Sequence, residues 1–146
     1  MSYAPADSRS LIIISNSAPE TYTSETDITF DTTDRQRGDL TRSGSQILGL
    51  KANKTYLVMG VLSGSGSLAD DALSAQIYDV TGTAYLGSLI ATSVYLVAAT
   101  TTNTIQPLSY FLFTPTVNTT VSFRMKAGGS GTATVKAKTS LMVIEL

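Results

Sequence analysis

Along much of this chain apolar and polar positions alternate with a period of two, the spacing that sends successive side chains to opposite faces of a β-strand. The clearest case runs from Val117 to Lys126. There Val117, Thr119, Val121, Phe123 and Met125 fall on one face, and Asn118, Thr120, Ser122, Arg124 and Lys126 on the other. Such a strand has one dry face and one wet face. The last eight residues, Thr139 to Leu146, break that pattern: Leu141 and Val143 lie on one side, and Met142, Ile144 and Leu146 on the other. The stretch is short for a helix and rich in strand formers, so it predicts a strand that needs cover on both faces. Thr55 to Leu62 has the same character, with Tyr56 and Val58 set against Leu57, Met59 and Val61. Strands covered on both faces sit in the middle of a sheet, and these two are expected to pair there.

The remaining pieces are shorter. Ile28 and Phe30 alternate with Thr29 and Asp31, as in a strand. Thr32 to Gly44, which carries Asp34, Arg35, Arg37, Asp39 and Arg42, reads as an exposed loop of mixed charge. Ser45 to Leu50 predicts a strand, Lys51 to Lys54 a polar turn, and Ser63 to Ser67 a flexible Gly/Ser turn. Ala72 to Val80 alternates again and runs into the turn Asp79-Val80-Thr81-Gly82. Tyr85 to Ala98 predicts two strand pieces, around Leu86 to Ile90 and Val94 to Ala98, because Gly87, Ser88, Thr92 and Ser93 disfavour a helix. Leu108 to Phe113 is a strand stopped by Pro107 and Pro115, and Ala127 to Gly131 is a hairpin turn into a strand over Thr132 to Thr139. About eight to ten short strands without a convincing helix make an all-β chain, a β-sandwich or jelly roll.

Residues 1–25 differ from the rest. Pro5 and Pro19 bracket an apolar run, Leu11-Ile12-Ile13-Ile14, set among polar residues. Two readings follow for this stretch, with the domain proper spanning residues 26–146. It is the first strand of the sandwich, or it is an arm that leaves the domain and adds a strand to a neighbour through backbone hydrogen bonds.

Composition narrows the chemistry. The chain has 146 residues, no cysteine and no histidine, which removes disulfides, thiolate metal sites and the usual general base. Ten Lys and Arg against eleven acids, with no basic block, argue against nucleic acid as a partner. No stretch approaches the roughly 20 apolar residues of a membrane helix, and no basic-then-apolar leader is apparent. The expectation is a soluble, non-enzymatic protein without cofactor or metal. Asp70, Asp71 and Asp79 lack the ligand spacing of a calcium loop, and the glycines after Ala127 precede a strand where a phosphate loop needs a helix. Arg37-Gly38-Asp39, in the charged loop, and two Asn-x-Thr sequons, at Asn53 and Asn118, are motifs short enough to arise by chance.

In the order of its features the chain resembles the TNF/C1q-like jelly-roll superfamily, in the form common in bacteriophage virion proteins. The residues that carry the resemblance are Ile28-Thr29-Phe30-Asp31 before the charged loop, Lys54-Thr55-Tyr56-Leu57-Val58 after a polar turn, Val121-Ser122-Phe123-Arg124-Met125, and Thr139-Ser140-Leu141-Met142-Val143-Ile144 at the end. What the resemblance implies is a homotrimer whose inner sheets pack around a threefold axis. The residues expected to line that axis are Tyr56, Val58, Met142, Ile144 and Leu146. A composition low in charge, without Cys or Trp, is similar to that of phage capsid accessory proteins. The expected role is then a capsid decoration or head-fibre protein, made in the host cytoplasm and carried on the virion surface. Its partner would be the major capsid protein or another virion protein, reached through an attachment arm centred on Leu11, Ile12, Ile13 and Ile14. The alternative is a receptor- or carbohydrate-binding module of a tail fibre, with tyrosines such as Tyr85 and Tyr95 stacking on sugars.

Overall fold

The computed structural model describes residues 9–22, 26–66, 72–87, 93–95, 108–126, 133–135 and 139–146. All paired strands among them are antiparallel. A five-stranded sheet contains β1 (Leu11–Ser15), β3 (Thr32–Arg37), β6 (Tyr56–Val61), β11 (Leu108–Phe113) and β14 (Ser140–Glu145), in the order β11-β6-β14-β1-β3. A six-stranded sheet contains β4 (Thr41–Ser43), β5 (Gln46–Leu50), β8 (Ala72–Asp79), β9 (Ala84–Tyr85), β10 (Ser93–Tyr95) and β12 (Thr119–Lys126). Its order is β10-β8-β12-β5-β4, with β9 added on β8. A small third sheet joins β2 (Glu20–Tyr22), β13 (Ala133–Val135) and β7 (Gly64–Gly66).

The two large sheets close on one core. From the five-stranded sheet it takes Ile12, Ile14, Tyr56, Val58, Leu141 and Val143, and from the six-stranded sheet Ile47, Ala75, Ile77, Val121, Phe123 and Met125. Each of these faces inward because its neighbours one step along face out, the alternation that a pleated strand imposes. Packing at the centre is tight enough to require a residue without a side chain. A Cβ on Gly60 of β6 would lie 2.8 Å from the Phe123 ring across the core.

The pairing of the two strands that are apolar on both faces is as expected: β14 lies against β6, both inside the sheet. Three regions depart from expectation. The charged stretch after Asp31 is not one loop, because β3 pairs with β1 in one sheet and β4 pairs with β5 in the other. The chain crosses between sheets at Gly38 to Leu40, and Leu40 is fully buried at the crossing. Ile28 and Phe30 are buried as their alternation requires, yet 28–30 is not a strand. Its backbone instead bridges the sheets: Ile28 N–H donates to Phe123 O, and Asp31 N–H donates to Ser15 O. Ser63 to Ser67 is also more than a turn, since Gly64–Gly66 pairs with β13. The pieces expected around Leu86 to Ile90 and Val94 to Ala98, and the turn at Ala127 to Gly131, lie largely outside the described residues.

The run Leu11-Ile12-Ile13-Ile14 is strand β1, held between β14 and β3. Ile12 and Ile14 are completely buried in the core of their own chain. These residues therefore cannot serve as a free attachment arm. The first-strand reading describes where they are.

Candidate functional site

In an antiparallel ladder, residues directly opposite each other project from the same face, so register fixes which side chains gather. On the outer face of the five-stranded sheet two neighbouring rungs are apolar almost from end to end. One runs Leu112, Leu57, Ile144, Leu11. The next runs Tyr110, Met59, Met142, Ile13. Tyr110 and Leu112 are 65% and 61% exposed, and the residues between are half-buried. At the far end the rungs finish on Arg37 beside Leu11 and Arg35 beside Ile13. There β3 carries a bulge: Arg35 opposes Ile13 and Thr33 opposes Ile14, leaving Asp34 as the extra residue. Charge and a bulge at an edge strand discourage further strand pairing.

This face corrects part of the expected interface set. Met142 and Ile144 project outward, and Leu146 beyond the end of β14 is 55% exposed. Tyr56 and Val58 do not join them. Val58 is opposite Val143 and Tyr56 opposite Glu145 in the ladder, so both fall on the inward parity and are buried. The Tyr56 hydroxyl accepts the Lys51 amide at 2.9 Å, which satisfies the phenol inside the core. The outward residues of β6 are Leu57, Met59 and Val61. Leu11, Ile13, Tyr110 and Leu112 also belong to the face and were not assigned to it from sequence. The signal was present in Leu11 to Ile14, which is apolar at both parities just as β6 and β14 are.

The outer face of the six-stranded sheet has the opposite chemistry. One rung there runs Ser43, Gln46, Ser122, Tyr78, Tyr85, and beside it Arg124 is opposite Gln76. Asp27, bridged to Arg124 through the backbone, closes this surface. Its Oδ1 accepts Ser122 Oγ at 2.8 Å and Arg124 Nε at 2.9 Å, and its Oδ2 accepts Gln46 Nε2 at 3.3 Å. The Arg124 guanidinium lies 3.6 Å from the centroid of the Tyr78 ring, which meets Tyr85 edge-on at 5.0 Å. Gln76 donates to the carbonyls of Leu86 and Gly87. Tyr85 is thus half-buried against a neighbour, and the Tyr95 side chain lies outside the described residues.

The start of β1 and the end of β14 meet at one corner of the apolar face. The Glu145 amide donates to Ser10 O across the sheet, and the Glu145 carboxylate accepts Lys54 Nζ and the Ser10 amide. Lys54 first, and the Ser10 amide with it, hold the Glu145 carboxyl below its ordinary value, while Glu145 raises Lys54. The Arg-Gly-Asp tripeptide is tied down in similar fashion. Arg37 Nε donates to Arg9 O, the Asp39 amide donates to Ser10 Oγ, and the Asp39 carboxylate pairs with Lys51. Among the described residues there is no group of three or more acids placed to hold a metal ion.

Comparison with known proteins adds the fold and nothing finer. No protein-family model matches the chain, and no curated protein matches it. Solved structures do. Murine APRIL at pH 8.5 superposes with a TM-score of 0.63 at 11% identity, covering 94% of this chain and 99% of that one. Eiger TNF from S. frugiperda gives 0.61 at 11% identity, covering 94% and 91%. The globular domain of zebrafish complement 1qA protein gives 0.58 at 10% identity, covering 93% and 94%. The fold is the TNF/C1q-like jelly roll.

Proposed function

We propose that this chain is a non-enzymatic structural protein that works as a homotrimer, with the outer face of its five-stranded sheet as the surface joining the copies. One observation carries the proposal: eight side chains in two adjacent rungs, Leu112 to Leu11 and Tyr110 to Ile13, are apolar on a face that no part of the described chain covers. Burying large apolar side chains contributes about 1.5 to 3 kcal/mol each, and a contiguous apolar patch of this kind marks an association surface. The face is also directional, apolar at the β11 edge and cationic at the β3 edge. A directional patch favours a head-to-tail contact that closes into a ring.

The biological setting that fits such a trimer is the surface of a virion, where it would act as a capsid decoration or head-fibre protein bound to the major capsid protein or another virion protein. Support for that setting is compositional: a chain low in charge, without cysteine or tryptophan. With Leu11 to Ile14 built into the sandwich, contact with a capsid falls to other surfaces. Electron microscopy of virions made with and without the protein, together with binding of the purified protein to purified capsids, tests this role. Added density on the capsid and capsid binding are expected. Binding to host cells without binding to capsids would reject it in favour of a receptor-binding module.

A further inference from the structure

We infer that the cleft between the β8–β9 turn and the β11–β12 loop is a binding site for one ring of a neutral saccharide. The cleft holds about 240 Å³ and is lined by Asp79, Gly82, Phe113, Val117 and the loop residues between the last two. Its size falls below the ~300–1,000 Å³ of sites for drug-sized ligands and suits a single small ring. The β11–β12 loop lines it with apolar Phe113, Pro115 and Val117, the last 56% exposed, interleaved with Thr114 and Thr116, and the β8–β9 side contributes Asp79 and Gly82. A pyranose offers a matching mixture: its C–H groups form an apolar face, and its hydroxyls donate and accept around the rim.

Both loops are already held in place, so a ligand would meet a formed site and would not have to order the chain. The Asn53 amide donates to Pro115 O at 2.8 Å, Thr119 Oγ1 donates to Val117 O at 2.8 Å, and Thr114 and Thr55 share a hydroxyl hydrogen bond. On the other side the Val80 amide donates to Thr120 O, and the Thr120 amide donates to Thr81 Oγ1. Asp79 Oδ1 accepts the Gly82 amide at 2.8 Å, whereas Oδ2 accepts no hydrogen bond from any described residue. A carboxylate oxygen left with open lone pairs in a cleft that also has apolar side chains can take a pair of sugar hydroxyls. No Lys or Arg lines the cleft, so the lone carboxylate disfavours phosphates and acidic sugars. With one carboxylate, the cleft is also a poor cation cage.

Amide chemical-shift titration of the isotopically labelled protein tests the site, using methyl galactoside, methyl glucoside and methyl N-acetylglucosaminide, with glucuronate and glucosamine as charged controls. At least one neutral glycoside should move the amides of Gly82, Thr116 and Val117 with a millimolar dissociation constant. Asp79→Asn, which keeps the acceptor for Gly82, should weaken that binding roughly tenfold while leaving the rest of the spectrum in place. The inference is overturned if no neutral glycoside moves these amides, if Asp79→Asn binds as well as the parent, or if a charged sugar binds more tightly than every neutral one. None of the eight outward side chains of the apolar rungs lines the cleft.

Discussion

The two large sheets contribute to the same core, yet their outer faces are opposites. On the six-stranded sheet the polar side chains satisfy one another: Asp27 gathers Ser122, Arg124 and Gln46, Arg124 covers Tyr78, and Gln76 reaches two carbonyls. That face is finished within one chain. On the five-stranded sheet the outward rungs are Leu, Ile, Met and Tyr, for which the chain itself offers no further partner among the described residues. The difference teaches what each face asks for. A polar face can be closed by hydrogen bonds inside a monomer, but an apolar face is closed by burial, which in the proposed trimer another copy supplies.

The sharpest way to break the comparison is to place the same charge one residue apart on β14. Val143→Asp puts a carboxylate in the core at a fully buried position, and an unpaired buried charge costs several kcal/mol, a large part of the ~5–15 kcal/mol that holds a domain folded. Loss of the folded circular-dichroism signal is the expected result. Met142→Asp, on the outer face, should instead leave a folded chain that no longer assembles, as read by circular dichroism and light scattering on one sample.

A smaller effect is expected on the polar face. Asp27→Ala strips the acceptor from Ser122, Gln46 and Arg124 at a site where the Asp27 side chain is 19% exposed. The expected loss is about 1–3 kcal/mol, measured by chemical denaturation, with no change in oligomeric state. If the assembly fell apart as well, the polar face would have a share in it.

Much of this contrast was legible in the sequence, and the part that was not has a specific cause. That β6 and β14 pair inside a sheet followed from their apolar residues at both parities. Which parity faces out did not follow, because parity across strands is set by register: Met142 lies opposite Met59 and Val143 opposite Val58, so Tyr56 and Val58 go inward. The third such strand, β1, allowed both a first strand and a detachable arm, because four consecutive apolar residues have no alternation to read. Strand β3 was invisible for the opposite reason. As an edge strand it is exposed along nearly its whole length, and Asp34, Arg35 and Arg37 there resemble a loop. In the candidate cleft, Asp79 and Gly82 were legible as a turn, but nothing in sequence brings them to Phe113 and Val117.

Two predictions at the corner of the apolar face are smaller still. The Glu145 carboxyl is held below its ordinary value by Lys54, so it contributes stability that is present above its unfolded pKa and lost as pH falls through its lower folded pKa. Glu145→Gln should therefore flatten the acid limb of a plot of melting midpoint against pH in the acidic carboxylate range, and an unchanged limb would count against that pairing. Lys51→Ala breaks an ion pair whose side chains are 51% and 62% exposed, and no measurable change in melting midpoint is expected.

Sedimentation equilibrium on the unmodified protein at micromolar concentration tests most directly whether the outer face of the five-stranded sheet joins copies of the chain. The expected mass is three times that of the 15.4 kDa chain, falling to that of one chain in Met142→Asp. A stable monomer that stays folded at the same concentration would contradict it.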